Sequence, residues 1–246
     1  MAYRRLKLPH LHPVGATFSL LLLLKDAVPK PLLRKMCEER RQKLHAIRSG
    51  RLPGWRQVLT ATQIELDRRF DDLLRRHANQ SHALSDPLAA KIMVGRLQEF
   101  HGVHYDLCAY SVMSNHVHAE LDMSVQLSAD WQVGQTPASY FPFHKVINMI
   151  KGGSSRYINQ ALGTTGTPLW AIRYRDRFIR GERHLANACR YTRNNAVAAK
   201  LVERWEDHPF SGGMTEAELA ERQQRRVYPD EGLWMERLRE FDARRG

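Results

Sequence analysis

The chain has 246 residues, with 38 Lys and Arg against 26 Asp and Glu and a formal net charge of +12. That excess argues against a generic metabolic enzyme and points to a polyanionic partner, either nucleic acid or an anionic membrane surface. Hydrophobic residues make up 43%, enough to bury a core, which excludes a disordered basic tail.

The most apolar run, Val14 to Leu24, is ended by Lys25-Asp26. It falls well short of the roughly 20 residues that span a bilayer. Arg4, Arg5 and Lys7 precede it, as in a signal peptide, but Lys25-Asp26-Ala27-Val28-Pro29 is a poor small-residue cleavage site. A buried strand over about 16–25 is therefore expected, and no membrane partner. Cys37, Cys108 and Cys189 are odd in number, far apart and form no CxxC. They read as reduced thiols of a cytoplasmic protein.

Pro29 and Pro31 open a charged helical stretch over about 31–48, broken by Ser49 to Gly54. A second helix fits 60–77, with Ile64, Leu66, Phe70, Leu73 and Leu74 apolar. Ser85-Asp86-Pro87 is a helix start, and that helix runs to about Phe100. Strands follow at about 105–113 and 116–123, joined as a hairpin at Ser114-Asn115. A loop over 124–140, a helix over 141–162, a strand over 170–180 and a long helix over 182–203 complete the core. Thr215 and Glu218 form a capping box for a C-terminal helix.

The charge is uneven. Residues 215–246 carry a net −1, which leaves +13 on the rest of the chain. Seven Arg stand against Asp176 and Glu182 between 173 and 193, so the polyanion surface is expected in the core.

Strand alternation puts His116, His118, Glu120 and Asp122 on one face of the second hairpin strand, and Val117, Ala119, Leu121 and Met123 on the other. Two imidazoles side by side can converge on one metal ion, although chance also makes such pairs, as at His10 and His12. Tyr191 and Asn195 are four apart and share a helix face. Asn194-Asn195 costs helix propensity, so it marks either a functional position or the junction of two shorter helices.

These pieces resemble a known family. Val112-Met113-Ser114-Asn115-His116-Val117-His118 is similar to the histidine strand of the single-tyrosine HUH transposases. Ser154 to Asn159, Pro168-Leu169-Trp170 and Arg173 to Arg180 look like that family's run into its catalytic helix. Tyr191 to Val202 and Asp207-His208-Pro209-Phe210-Ser211 resemble the helix and the segment after it. The branch associated with repetitive extragenic palindromes is the best match, with Tyr3-Arg4-Arg5 in the place of its basic arm. The resemblance covers about 3–25 and 86–212 and departs at Ala196, where the family has Pro, and at Ala119-Glu120, where it has apolar residues.

The resemblance implies an α+β fold: a ferredoxin-like antiparallel sheet with helices on one face, in the HUH nuclease architecture. It divides the chain into a catalytic domain over 1–212, with a helical insert at about 30–80, and a helical tail over 213–246. It implies a transposase that cleaves and rejoins single-stranded DNA flanking a hairpin or palindromic repeat, through a 5′-phosphotyrosine on Tyr191. His116, His118 and Asn195 would hold Mg²⁺ or Mn²⁺. Glu120 is an extra ligand, a base or a solvent-facing residue. Arg4, Arg5, Lys151, Arg156, Arg173, Arg175 and Arg177 are the expected phosphate contacts. Tyr174 and Trp170 would stack on bases, with core packing the alternative for Trp170. The protein would be a monomer or homodimer in the cytoplasm, at the nucleoid. Two other functions stay open: a non-catalytic DNA-binding protein, and a metal-dependent hydrolase that uses Glu120 and forms no covalent intermediate.

Overall fold

The computed structural model describes residues 12–50, 53–78 and 82–228. The basic arm with Arg4 and Arg5, and the chain after Tyr228, lie outside these residues. The elements in order are β1 (Thr17–Leu23), α1 (Lys30–Gly50), α2 (Trp55–Arg76), α3 (Pro87–Gln98), β2 (Asp106–Val112), β3 (His116–Asp122), α4 (Phe143–Ala161), β4 (Arg175–Phe178), α5 (Glu182–Arg193), α6 (Asn195–Ala198), β5 (Ser211–Gly212) and α7 (Glu216–Glu221). The strands form one antiparallel sheet in the order β4-β1-β3-β2-β5. Its first four strands have the 4-1-3-2 order of a ferredoxin-like split βαβ. No helix among the described residues is long and apolar enough to cross a membrane.

The alternation read from β3 decides the two faces. Phe18, Leu20 and Leu22 of β1 pair with Leu121, Ala119 and Val117, and this apolar face packs against Met93 and Leu97 of α3 and Phe143, Val146 and Ile150 of α4. Each such Leu or Val, buried to 3% exposure or less, stabilises the fold by about 1.5–3 kcal/mol. Thr17, Ser19, Leu21 and Leu23 pair with Asp122, Glu120, His118 and His116, so the opposite face is largely polar. On that face α5 packs against β2 and β3. A smaller cluster of Cys108, Ala109, Ile179, Leu185, Cys189 and Met214 fastens it there. Thus the two ferredoxin-type helices share one face and the tyrosine helix lies on the other.

Local signals act where the sequence places them. The Asp86 carboxylate caps α3 by accepting from the Leu88 and Ala89 backbone N–H groups, with Pro87 in the first turn. Thr215 and Glu218 make the capping box of α7. Two expectations change. The helix expected over 182–203 is two helices, because α5 stops at Asn194 and the short α6 begins at Asn195. The Asn194 amide turns back to the Arg190 carbonyl, a local competitor to helix propagation. The strand expected over 170–180 reduces to β4 plus a separate bridge between Leu24 and Trp170, since the chain swings out at Ile172, 96% exposed.

The insert is a pair of packed helices. Arg40 pairs with Asp67 at 2.7 Å and Arg69 with Glu39 at 2.9 Å. No residue of α1 is buried, whereas Leu66, Phe70 and Leu74 of α2 are. The segment 214–228 also joins the fold. The Arg226 guanidinium is buried against Asp122 at 3.2 Å and Glu182 at 2.7 Å, and Val227 bridges Ala16.

Candidate active site

Asn115 builds the site from the hairpin turn. Its Nδ2 donates to the carbonyls of Ala27 (3.1 Å) and Leu74 (2.9 Å), tying the end of α2 to the turn. Its Oδ1 lies 2.7 Å from His116 Nδ1. An imidazole that donates from Nδ1 presents a lone pair at Nε2. On the next inward position His118 stands edge-on to His116, with ring centroids 5.1 Å apart. Both histidines are buried, which pushes their pKa values down and keeps them neutral, the state that binds a metal.

The break at Asn194 serves the geometry. Asn195, 2% exposed, points its Nδ2 to within 3.4 Å of His116 Nε2. Tyr191, a turn earlier on α5, brings its ring 6.1 Å from that of His118. The residue is 44% exposed, while its hydroxyl turns inward and donates to Asp71 Oδ2. Asp71 comes from α2, is 5% exposed, and lays its Oδ1 3.7 Å from His118 Nε2. Burial, then the Asp71 charge and hydrogen bond, raise the Tyr191 pKa, so at neutral pH it is a phenol.

Two of these polar atoms are buried without a hydrogen-bond partner: His118 Nε2 and Asn195 Oδ1. Orphaned buried donors and acceptors are uncommon and call for an explanation. A nitrogen and an oxygen donor beside the His116 lone pair fit a divalent cation with mixed ligands. Among the described residues, no three His, Cys, Asp or Glu side chains are grouped so as to hold a metal ion, and the third donor of this set is an amide.

Glu120 lies on the same face but is spoken for. Its Oε2 accepts from Ser19 Oγ at 2.5 Å and its Oε1 from Thr192 Oγ1 at 2.8 Å, which links β1, β3 and α5. Burial lifts its pKa to about 7, against the two hydroxyl donors. It is therefore neither solvent-facing nor a free ligand.

Most of the expected DNA contacts lie elsewhere than at this site. Trp170 is 7% exposed, with its indole N–H 3.0 Å from Ser154 Oγ, so it is a core residue and does not offer its face to a base. Arg175 lies 3.6 Å over the Phe70 ring. Arg177 pairs with Asp67. Both hold the insert against the sheet. Lys151 Nζ donates to the Ala171 and Ile172 carbonyls. Tyr174 is half-buried against Phe143. Arg156 and Arg173 are exposed.

The sequence reading missed Asp71, Arg75 and Thr192. Arg75 lines an open cleft of about 330 Å³ beside Tyr191, with Arg190, Asn194 and Asn195 across from it. A usable signal for Asp71 was its place between Phe70 and Leu74, a carboxylate beside the buried stripe of α2.

No family model and no curated protein matches the chain. Among solved structures, a REP-associated tyrosine transposase bound to a REP hairpin overlays with a TM-score of 0.46 at 13% identity, over 91% of this chain and 88% of that chain.

Proposed function

We propose that the protein is a metal-dependent single-stranded DNA nicking and joining enzyme, a strand transferase for hairpin or palindromic-repeat DNA, with Tyr191 as nucleophile. The observation that carries this reading is the convergence of Tyr191 and Asn195 on the His116–His118 pair, from elements far apart in sequence. The excess of positive charge supports a nucleic-acid substrate.

In the cleavage step Tyr191 Oη attacks the scissile phosphorus. The Oη–P bond forms and the P–O3′ bond breaks, leaving a 5′-phosphotyrosine and a free 3′-hydroxyl. The phenolic proton passes to Asp71 Oδ2, which already accepts that O–H, and the 3′ oxygen takes a proton from water. His116, His118 and Asn195 would hold Mg²⁺ or Mn²⁺, which when bound polarises the phosphate and offsets charge on the leaving oxygen. Glu120 positions α5 through Thr192 and so fixes the phase of Tyr191. Joining reverses the sequence: a 3′-hydroxyl attacks the phosphotyrosine and gives its proton to solvent, the P–Oη bond breaks, and Asp71 returns its proton to the tyrosine oxygen. The phosphotyrosine conserves the bond energy, so no nucleotide cofactor is needed.

The test is incubation with labelled hairpin oligonucleotides carrying single-stranded flanks, with Mn²⁺ or Mg²⁺, read on a denaturing gel. A covalent protein–DNA band is expected from the unmodified protein and not from Tyr191→Phe or in chelator. Cleavage without a covalent band, at an undiminished rate in Tyr191→Phe, would replace this reading with hydrolysis by water. Binding without cleavage under all conditions would leave only a DNA-binding protein.

A further inference from the structure

Resting on that reading, we propose that the single strand reaching Tyr191 runs along the basic cleft between the end of α2 and the α5–α6 corner, with its phosphates on Arg75, Arg76, Arg190 and Lys200. This path takes only Arg190 from the Arg-rich run at 173–193 that the sequence singled out. Of that run, Arg175 and Arg177 are committed to Phe70 and Asp67.

Three observations locate the path. First, the open cleft of about 330 Å³ beside Tyr191 adjoins a shallower depression of about 450 Å³, and the two share Arg75 and Ala198. Arg190 lies on the first and Arg76 and Lys200 on the second; the one carboxylate on their lining, Asp72, pairs with Arg75. A surface track lined by cations suits a phosphodiester backbone. Second, the nucleophile stands on the wall of the groove. The Tyr191 ring lines it, with the hydroxyl at its inner end against Asp71.

Third, the backbone puts Lys200 there against its own preference. Leu201 N–H donates to the Ala196 carbonyl (3.0 Å) and Lys200 N–H to that of Val197 (2.9 Å), a Schellman ending of α6. Lys200 occupies the left-handed position of this motif, with φ 58°, where glycine is usual. It is the one non-glycine residue with positive φ among the described residues. A strained position filled by a cation, on the wall of a basic groove, is a cost that a phosphate contact accounts for.

Lys200→Gly separates this role from a structural one. Glycine relieves the backbone and removes the charge, so the variant should melt at a higher temperature yet bind DNA more weakly. Affinity is measured by fluorescence anisotropy with a labelled hairpin oligonucleotide bearing a single-stranded flank, at several salt concentrations. Each cation on a single strand adds about 0.7 to the magnitude of the salt slope, which at 0.1 M salt is about fivefold in affinity. The expected losses are about fivefold for Lys200→Gly and about a hundredfold for Arg75→Ala, Arg76→Ala and Lys200→Gly together, with a slope about 2 smaller. Lys91→Ala, exposed on α3 across the sheet, should bind within twofold of the unmodified protein. If the triple variant keeps the affinity and slope of a protein that forms the Tyr191 adduct, the strand runs elsewhere and the proposal is overturned, while the proposed function stands. If the unmodified protein binds neither hairpin nor single-stranded DNA, both fall.

Discussion

Asp71→Asn removes one negative charge from the site and preserves the shape of the side chain. Asp71 Oδ1 lies 3.7 Å from His118 Nε2. A cation held by that nitrogen at about 2 Å is then within about 6 Å of the carboxylate. For charges of +2 and −1 at that distance, the attraction is about 1.4 kcal/mol in water and about 5.5 kcal/mol at an effective dielectric of about 20. The first figure is a lower bound for a residue only 5% exposed, and it already corresponds to about tenfold in affinity. Mn²⁺ binding followed by calorimetry at 0.15 M salt is therefore expected to weaken at least about tenfold in Asp71→Asn. His118→Ala should abolish binding, and Tyr191→Phe should leave it unchanged. Melting in chelator shows that each variant is folded. Unmodified Mn²⁺ affinity in Asp71→Asn, alongside its loss in His118→Ala, refutes the reasoning and makes Asp71 an anchor for Tyr191 alone.

Three other perturbations have defined outcomes. Glu120 titrates near pH 7 in the fold against an ordinary 4.5, so between these values the folded state holds the extra proton. Its stabilising effect is complete below about pH 4.5 and is lost as pH rises through 7, a change of about 3 kcal/mol. Glu120→Gln should remove that component of the pH dependence in urea unfolding measured in chelator; identical slopes for both proteins would count against a buried neutral carboxyl. Phe70 is 1% exposed beneath Arg175, and Phe70→Ala should cost about 3–5 kcal/mol, with faster hydrogen exchange in α1 and α2 than elsewhere. An even change across the chain would show that Phe70 does not fasten the insert. Gly213 has φ 128°, and a Cβ there would lie 2.5 Å from both the Cys108 carbonyl oxygen and Ala109 Cα. Gly213→Ala should destabilise by well over 1 kcal/mol. Gly166→Ala, with positive φ but open space, should cost less by thermal melting.

What the sequence made legible was local. Period-2 alternation from His116 to Asp122 separates a core face from a polar face, and the same arithmetic holds when β1 is paired beside it. Asp86-Pro87 and the Thr215 box specify helix starts through side chains two or three residues away, and such contacts survive any tertiary arrangement. The Arg run at 173–177 was legible as charge but not as placement. Whether a guanidinium meets phosphate, an aromatic ring or a carboxylate depends on which element covers it, and here α2 supplies both Phe70 and Asp67. The break at Asn194 lay between: the propensity cost of two asparagines was visible, but its outcome followed from Asn195 having to reach His116.

Asp71 marks where local reading stops and a physical rule can take over. Its contact with Tyr191 spans 120 residues, which no periodicity reports. Yet a carboxylate between Phe70 and Leu74, both buried, cannot lie on the core side of a helix without a partner, because desolvating it alone costs several kcal/mol. An acidic residue on the buried stripe of an inserted helix therefore implies a donor or a cation supplied by the rest of the fold. In this protein the groups facing it are a phenol that needs a proton acceptor and an imidazole nitrogen with no hydrogen-bond partner. The α1–α2 insert is thus part of the site's electrostatics and forms one wall of its approach. Deleting the insert would remove a charge from the centre as well as a layer from the surface.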